Sequence, residues 1–202
     1  MDFDDLLTHT VLLFQNNPSV LESYQRIFRY ILVDEFQDTN LVQFKLVKLL
    51  SQKNNRIFVV GDDDQSIYSW RGARIENILS FNKEFPDTRV FKLEQNYRSS
   101  KAILDFANSI ISSNSNRTDK KLCTSQNYTD NVMVVRYRDD RHEADVTCER
   151  IKQLQLNSVK LGAIAILFRT NAQSRIFEDV FRKHGLPYII VGGVSFYERK
   201  EI

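Results

Sequence analysis

The stretch that decides the fold is Tyr30-Ile31-Leu32-Val33-Asp34-Glu35, a continuous apolar run that ends in two carboxylates. A strand buried on both faces of a parallel sheet has this pattern where it emerges at the carboxyl edge. Residues 41–50 then return to helical spacing, and residues 56–60 form a second, β-branched run that stops at Gly61. This β-α-β order predicts two parallel strands joined by a right-handed crossover, with both strand ends facing one crevice.

Helical and strand-like patterns alternate along the rest of the chain. The polar, aperiodic residues 112–130 predict a long surface loop, either functional or merely mobile. Ser100 and Gly185 are expected to cap helices. The alternation predicts an α/β fold with mainly parallel sheets. The predicted helices cover residues 3–14, 20–28, 75–85, 100–111, 142–154 and 174–183, and the further strands cover residues 89–93, 132–137, 163–168 and 188–191.

Composition excludes several classes of protein. Of the 202 residues, 42% are hydrophobic and 27% are charged, which is ordinary for a soluble folded protein and excludes disordered and collagen-like chains. No run approaches the roughly 18 apolar residues of a membrane span. The acidic start MDFDDLLTHT does not suit a secretory signal, so we expect a cytoplasmic protein. Cys123 and Cys148 are too far apart for a zinc site, and a net charge of +2 does not decide the partner.

Asp34 and Glu35 form the first candidate site, at the end of the predicted strand. Two adjacent carboxylates can divide the work of phosphoanhydride hydrolysis, because one holds Mg²⁺ and the other accepts a proton from the attacking water. Acids also end many strands for purely structural reasons, so this pair alone leaves both interpretations open.

Residues 61–73, Gly-Asp-Asp-Asp-Gln-Ser-Ile-Tyr-Ser-Trp-Arg-Gly-Ala, form the second candidate site. The uncharged amide of Gln65 can sense a γ-phosphate or orient water. Tyr68 and Trp70 can stack on bases, and Arg71 can contact backbone phosphate. The alternative is that both aromatic residues belong to a core, but three aspartates and two glycines beside them disfavour tight packing.

The third candidate site is Leu93-Glu94-Gln95-Asn96-Tyr97-Arg98-Ser99-Ser100, between a predicted strand and a predicted helix. Arg98 could reach a phosphate from this junction, and Tyr97 offers a flat face for a purine. A single Tyr-Arg pair carries little information without its neighbours.

Taken together, the three sites resemble motifs of the superfamily 1A DNA helicases of the UvrD, PcrA and Rep group, with Rep the most similar. VDEFQDTN resembles motif II of that family, VGDDDQSIYSWRGA resembles motif III, and LEQNYRSS resembles motif IV. The opening DFDDLL and residues 166–175 and 192–202 also match, so the resemblance covers essentially the whole chain.

The resemblance implies RecA-like P-loop NTPase motor domains, here parts of two. Residues 1–28 would be the tail of subdomain 1B and the entry to 1A, and residues 29–95 the C-terminal part of 1A. Residues 96–202 would be the first part of 2A, ending near the 2B insertion. None of the six glycines begins the phosphate-binding pattern G-x-x-x-x-G-K-[ST]. The chain is therefore expected to be an internal fragment that lacks the P-loop and the C-terminal motifs and, alone, does not turn over ATP.

The resemblance also implies nucleotide-binding roles. Asp34 would bind Mg²⁺, and Glu35, at the same metal site, would activate water. Gln65 would contact the γ-phosphate and report its presence to the DNA site. Tyr97 would stack on adenine, and Arg98 would act as an arginine finger, a role generally worth about 10³–10⁵ in rate.

Single-stranded DNA is the second ligand that the resemblance implies. Tyr68 and Trp70 would stack on its bases, with Arg71 beside the strand. Arg169 and Asn171 match positions that would touch the strand from the second motor domain. For these two residues the alternative is that they cap the next helix.

The resemblance thus implies an ATP- and Mg²⁺-dependent 3′-to-5′ DNA helicase and translocase in DNA repair or replication restart. Its partners would be single-stranded DNA, junctions of single- and double-stranded DNA, and the missing motor segments of the same protein. Two other readings remain open: a non-catalytic DNA-binding module, and the motor part of an AddA- or RecB-type helicase-nuclease. The residues alone do not separate DNA from RNA, because stacking on bases is indifferent to the sugar.

Overall fold

The computed structural model describes residues 2–115, 117–126 and 131–191, which fall into two compact units. The first unit ends at Val132, and the second begins at Met133. Among the residues so described, no helix is both long and apolar enough to cross a membrane. The division into subdomain segments at residues 28 and 95 stays a prediction.

The first unit contains six helices and two strands among its described residues. Two of these helices begin at capping boxes: Asp2 and Asp5 form one for the first helix, and Asn40 and Gln43 form one for the third. The elements are α1 Phe3–Asn16, α2 Pro18–Ile27, β1 Ile31–Val33, α3 Leu41–Ser51, β2 Ile57–Val59, α4 Glu76–Leu79, α5 Phe81–Glu84 and α6 Lys101–Ile111.

β1 and β2 pair in parallel, with Leu32 opposite Phe58, and α3 connects them. The predicted β-α-β unit is therefore confirmed. The prediction that β1 is buried on both faces is wrong, because Leu32 is 73% exposed and Phe58 is 60% exposed on the same face of the pair. Ile31 and Val33, on the opposite face, are half-buried.

The strands predicted for residues 89–93, 132–137, 163–168 and 188–191 are absent from the structure, whose described residues contain a single two-stranded sheet. A strand exists only where a neighbouring strand accepts and donates its hydrogen bonds, and an apolar run does not supply that neighbour. Many apolar side chains of these segments stay in solvent, although Ile164, Ile166 and Tyr188 pack against the core of the second unit. Leu93 is 84% exposed. The fold is thus a mixture of helices and a small parallel sheet rather than the mainly parallel sheets that were predicted.

Phe36 anchors the turn that follows β1. Its side chain is fully buried, and its ring centre lies 6.1 Å from that of Phe44 in α3 and 5.4 Å from that of Phe81 in α5. The single helix predicted over residues 75–85 is instead two short helices, α4 and α5, separated at Ser80. The aromatic contacts fix the backbone at the point where the first candidate site begins.

The second unit is built on α7 Asp140–Leu156 and α8 Ser174–Lys183. Asp139 caps α7 by accepting a hydrogen bond from the backbone of His142. Gly185, at φ +62°, follows the end of α8 in the left-handed region where glycine is favoured, as predicted. Residues 192–202, part of the family resemblance, lie outside the described residues. The core between the two helices contains Ala144, Cys148, Ile151, Val180, Phe181 and Leu186.

Candidate functional site

The turn after β1 presents two carboxylates to solvent. The Asp34 side chain accepts a 2.9 Å hydrogen bond from the backbone N–H of Glu35, and both residues are exposed. Glu35 has φ +49° and ψ +42°, a left-handed conformation that is uncommon for any residue other than glycine. A short 3₁₀ turn, Phe36–Asp38, follows at once. The carboxylate pair therefore stands on a sharply bent, well-anchored backbone.

Gln37 joins this turn to the loop after β2. Its side chain is almost completely buried, and its amide N–H donates a 2.8 Å hydrogen bond to Glu35 Oε2. The amide oxygen accepts a 2.9 Å hydrogen bond from the backbone N–H of Asp62. The Ser66 hydroxyl also donates to the backbone carbonyl of Gln37 at 3.3 Å. The two strand ends thus share one hydrogen-bonded side chain.

Gly61 permits this close approach. A Cβ at residue 61 would lie 2.6 Å from Gln37 Oε1 and 2.7 Å from Ile78 Cδ1, closer than real Cβ atoms approach other atoms. The absence of a side chain here lets the loop after β2 approach the amide of Gln37.

Gln65 lies at the end of this hydrogen-bond chain. Its amide N–H donates a 2.7 Å hydrogen bond to Asp62 Oδ2, and the rest of its side chain is exposed. Glu35, Gln37, Asp62 and Gln65 are therefore connected in series, although residue 35 and residue 65 are far apart in sequence. The expectation that both strand-ending loops lie at one edge of the sheet is confirmed.

A cleft of about 360 Å³ opens beside the carboxylate pair. Asp38 lines it together with Asp34 and Glu35, and the Asp38 Oδ1 atom is buried without a hydrogen-bond partner. Burial, followed by the negative charge of Glu35, raises the pKa of Asp38 above its usual value. Mg²⁺ prefers oxygen ligands of this kind, and a cation would relieve the unpaired oxygen. The donor set fits Mg²⁺, with Asp34 and Glu35 as the residues that would hold it.

Tyr68, Trp70 and Arg71 form an exposed group next to Gln65. Trp70 is 62% exposed, and the two ring centres lie 6.3 Å apart with their planes tilted by 49°. The Arg71 guanidinium lies 4.6 Å from the Trp70 ring centre and 5.4 Å from that of Tyr68, within the range of cation–π attraction. The exposure argues against the core alternative and leaves ring surface and positive charge on the same side of the loop.

The far end of this loop is fastened to the first turn. Ala73 forms an antiparallel bridge with Asn40, and the buried Asn77 side chain donates hydrogen bonds to the carbonyl and hydroxyl of Thr39 at 3.0 and 3.1 Å. These contacts hold the aromatic group at a fixed position relative to Asp34 and Glu35.

Tyr97 and Arg98 lie on a turn before α6 and are exposed. Asn96 fixes the turn, because its side-chain oxygen accepts hydrogen bonds from the backbone of Arg98 and of Ser99 at 2.9 and 2.7 Å. Ser100 occupies the predicted N-cap position, but its hydroxyl makes no capping hydrogen bond.

Three carboxylates, Asp62, Asp63 and Asp64, cluster on the loop after β2 at a spacing that would suit a metal ion. Two cations from residues 112–126 hold the cluster instead. The Lys120 ammonium donates to Asp62 Oδ1 at 2.5 Å and to Asp63 Oδ1, and Arg117 pairs with both oxygens of Asp64 at 2.8 Å. The segment predicted as a surface loop is thus ordered around this site at residues 117–126.

These contacts change the ionisation of the cluster. Hydrogen bonding to Arg117 lowers the pKa of Asp64, with burial opposing it. Burial raises the pKa of Asp62, but hydrogen bonds from Lys120 and Gln65 outweigh burial and lower it overall. Burial opposes the charged form of Lys120, yet its carboxylate partners raise its pKa. All three groups are therefore held in their charged forms.

Arg169 and Asn171 belong to the second unit and have exposed side chains. The cap of the turn that precedes α8 is made by Thr170 and Gln173, and the Gln173 side chain also accepts the backbone N–H of Arg169 at 3.0 Å. The capping side chains are thus those of Thr170 and Gln173, and Arg169 takes part through its backbone N–H.

Sequence reasoning missed four residues of this site: Gln37, Asp38, Arg117 and Lys120. Gln37 and Asp38 lie inside the first motif, but nothing in the neighbouring sequence indicates that atoms of these two polar side chains are buried. Arg117 and Lys120 are more than 50 residues from their partners, so no local pattern could find them.

The fold and the site define an α/β protein with a carboxylate-lined cleft at the carboxyl end of a parallel strand pair. Two family models match the chain: the UvrD/REP helicase N-terminal domain over residues 1–86 and the UvrD-like helicase C-terminal domain over residues 91–202. The chain belongs to the UvrD-like helicase family, whose domains imply a RecA-like α/β fold. The family resemblance of the three motifs is therefore confirmed, while the Rep-like branch stays a prediction.

Two curated relatives share 50% identity with the chain over 202 residues. They are the ATP-dependent DNA helicases PcrA of Staphylococcus aureus (strain NCTC 8325 / PS 47) and of Staphylococcus epidermidis (strain ATCC 12228 / FDA PCI 1200). The aligned region is 100% of this chain and 28% of each relative. The chain therefore spans little more than a quarter of the length of these relatives.

Proposed function

We propose that this chain is part of an ATP-dependent DNA helicase that moves 3′-to-5′ on single-stranded DNA in repair or replication restart. The observation that carries the proposal is the hydrogen-bond series from Glu35 through Gln37 and Asp62 to Gln65. It joins a candidate catalytic base to a candidate phosphate sensor. The printed name of the staphylococcal relatives, ATP-dependent DNA helicase, supports the same activity.

In this mechanism Glu35 accepts a proton from the water that attacks the γ-phosphate, because its carboxylate is exposed and fixed at one oxygen by Gln37. Asp34 and Glu35 would hold Mg²⁺, which neutralises charge on the phosphates when bound. Gln65 contacts the γ-phosphate with the part of its amide that Asp62 leaves free. Tyr97 stacks on adenine and Arg98 stabilises charge that develops on the γ-phosphate.

DNA binding uses the loop that follows Gln65. Tyr68 and Trp70 stack on bases, and Arg71 contacts the strand while its guanidinium lies against both rings. Because Gln65 and Tyr68 are three residues apart on one loop, a change at the nucleotide reaches the base-stacking group without a long path. Arg169 and Asn171 would contact the strand from the second unit.

The finer domain assignment is also a proposal. Residues 29–95 and 96–202 would contribute to two RecA-like domains with mainly parallel sheets, and residues 1–28 would end subdomain 1B. Exposure of Phe91, Leu167 and Ile189, at 79%, 92% and 90%, supports the view that these segments pair with strands of a longer protein. Hydrogen exchange that is slower at these segments in the full-length protein than in the 202-residue chain would support the assignment, and equal exchange would contradict it.

Two alternatives make different predictions. A non-catalytic DNA-binding module would bind DNA without turnover, but it has no need for a buried amide that orients Glu35. The motor of a helicase-nuclease would share all of the residues above and would differ outside them.

The test is DNA-stimulated ATP hydrolysis by the full-length protein that carries these residues, at fixed salt because phosphate contacts are salt-sensitive. Strong stimulation by single-stranded DNA that is lost in Glu35→Gln, with DNA binding retained, is the expected result. Absence of turnover in the wild type together with intact DNA binding would favour the non-catalytic module. A 3′-to-5′ preference is checked with partial duplexes that carry a single-stranded tail at one end.

A further inference from the structure

The segment from Arg117 to Gln126 touches two candidate sites at once. On one side, Arg117 and Lys120 bind the carboxylates of Asp62, Asp63 and Asp64, and the backbone N–H of Thr118 donates to Asp63. Side chains at this contact are largely buried, with Lys120 at 16% and Asp63 at 5% exposure. Partial burial strengthens the attraction between such charges but also costs desolvation, so the firm consequence is that the loss of one partner is costly, because it leaves the other charge uncompensated.

On its other side, the same segment is bonded to the turn that carries Tyr97 and Arg98. Cys123 forms a parallel bridge with Gln95, in which its backbone donates to Glu94 at 2.9 Å and accepts from Asn96 at 2.7 Å. The Gln126 side chain donates a 2.7 Å hydrogen bond to the backbone carbonyl of Tyr97. One short stretch of chain therefore connects the loop of Gln65 with the loop of the predicted arginine finger.

Asp62 is the point at which this connection reaches Gln65. Its Oδ1 atom accepts from Lys120 and its Oδ2 atom accepts from Gln65, at 2.5 and 2.7 Å. Its backbone N–H donates to Gln37, so all of these bonds meet at one residue. The backbone N–H of Asp64 also donates to Oδ1, at 3.1 Å. If Lys120 loses its charge, the Asp62 carboxylate keeps only this longer bond at Oδ1, and the partner of Gln65 is held less firmly.

We propose that Arg117 and Lys120 are positioning residues, which hold the Asp62–Gln65 turn so that Gln65 meets the γ-phosphate, and which tie that turn to the loop of Tyr97 and Arg98. This inference rests on the proposed function, because it assigns the turn a catalytic purpose. The two cations lie in the region matched by the C-terminal family domain, and the three aspartates lie in the N-terminal one. The cation clamp, defined as Arg117, Lys120 and their three aspartates, thus joins two family domains.

The experiment compares Lys120→Met and Arg117→Gln with Lys121→Met in the full-length protein. Lys121 is the matched control, because its side chain is exposed and only its backbone N–H, which the substitution keeps, bonds to Glu94. Lys120→Met is expected to lower the DNA-stimulated kcat by about tenfold or more with a smaller change in KM for ATP, since misplacement of catalytic groups costs up to about 100-fold. Lys120→Arg, which keeps the cation, is expected to restore most of the rate.

A double substitution separates positioning from a general loss of structure. In a Gln65→Ala background, Lys120→Met is expected to cause a clearly smaller loss of kcat than in the wild type, because part of its effect is transmitted through Gln65. Two losses that multiply would overturn the proposal, as would equal kcat values for Lys120→Met and Lys121→Met.

A second readout does not depend on turnover. Deuterium uptake of peptides that cover residues 61–68 and 94–98 is expected to rise in Lys120→Met and to stay at the wild-type level in Lys121→Met. Unchanged uptake beside normal wild-type turnover overturns the clamp and leaves the proposed function intact. Absence of wild-type turnover overturns the proposed function and the positioning role with it, whatever the uptake shows.

Discussion

The side-chain amide of Gln37 donates a 2.8 Å hydrogen bond to the carboxylate of Glu35 from an almost fully buried position. The same amide accepts the backbone N–H of Asp62 at 2.9 Å. The orientation of one exposed carboxylate is therefore set from inside the protein, by a residue that is itself fixed by the neighbouring loop.

Replacement of Gln37 by methionine keeps the volume and removes both hydrogen bonds. The backbone N–H of Asp62 then loses its partner, and because an unsatisfied buried donor costs about 1–3 kcal/mol, this partly buried donor should fall at the lower end of that range. We expect a fall of this size in the free energy of unfolding of the 202-residue chain, measured with urea. The control is Gln52→Met, since Gln52 is exposed after α3. Equal stability of the two variants would show that the Gln37 amide stabilises nothing.

Addition of one methyl group at Gly61 tests the close approach of the two loops. Gly61→Ala would place its Cβ 2.6 Å from Gln37 Oε1, and such overpacking costs roughly 1–3 kcal/mol. The matched control is Gly162→Ala, because a Cβ at residue 162 has no atom within 4 Å. Thermal unfolding should show a clear drop in midpoint for the first variant only. A normal midpoint for Gly61→Ala would mean that the loops separate at little cost.

Removal of the Trp70 ring tests the proposed DNA contact. Base stacking on an aromatic side chain is worth about 1–3 kcal/mol per base, so Trp70→Ala should weaken binding of single-stranded DNA by about 5- to 150-fold. Fluorescence anisotropy with the full-length protein at fixed salt measures this. Tyr30→Ala is the control, because Tyr30 is also exposed and also carries an arginine, Arg56, over its ring. A loss of similar size in both variants would contradict a specific stacking role.

The ion pair between Arg117 and Asp64 makes the free energy of unfolding depend on pH in a defined direction. The pKa of Asp64 is lowered in the folded protein, chiefly by its hydrogen bonds to Arg117. A lowered carboxylate pKa contributes stability above the unfolded value, here 3.8, and that contribution is lost as pH falls through the folded value. We therefore expect the free energy of unfolding to drop less between pH 6 and pH 3 in Arg117→Gln than in the wild type.

The control for this measurement is Arg26→Gln, because Arg26 is exposed on α2 and its side chain bonds to the Ser23 hydroxyl rather than to a carboxylate. Its acid sensitivity should equal that of the wild type. An unchanged drop in Arg117→Gln would mean that Asp64 gains no ionisation energy from its partner.

Apart from residues 75–85, which form two short helices instead of one, sequence patterns predicted the helices well because helix formation depends on local information. α8 begins and ends at the predicted residues, and α3 ends one residue beyond its predicted end. The paired strands β1 and β2 were predicted as well, since each apolar run ends at a distinct stop and one helix separates them. The four unpaired runs look the same locally, but a strand also needs a hydrogen-bonding neighbour, and no local pattern encodes one.

The candidate site likewise contains some residues that local sequence patterns indicate and others that they do not. Glu35, Gln65 and Trp70 could be singled out because carboxylates, amides and aromatics at strand ends have recognisable chemistry. The ion pairs of Arg117 and Lys120 span more than 50 residues of sequence, and both cations stand in a polar segment without periodicity. The three aspartates and the two cations carry opposite charges, but nothing in the sequence indicates that they meet.

Two requirements conflict at residue 35: its left-handed backbone favours glycine, whereas the proposed catalytic role needs a carboxylate. An L-residue with a Cβ pays roughly 1–2 kcal/mol to stay at φ +49°, and glycine would relieve that strain. The catalytic base proposed at this residue, however, needs a carboxylate that the neighbouring amide can orient. A laboratory selection for thermal tolerance alone should therefore enrich glycine at residue 35. A selection that also requires turnover should retain glutamate. The residue found at this position would then show which of the two properties had been selected.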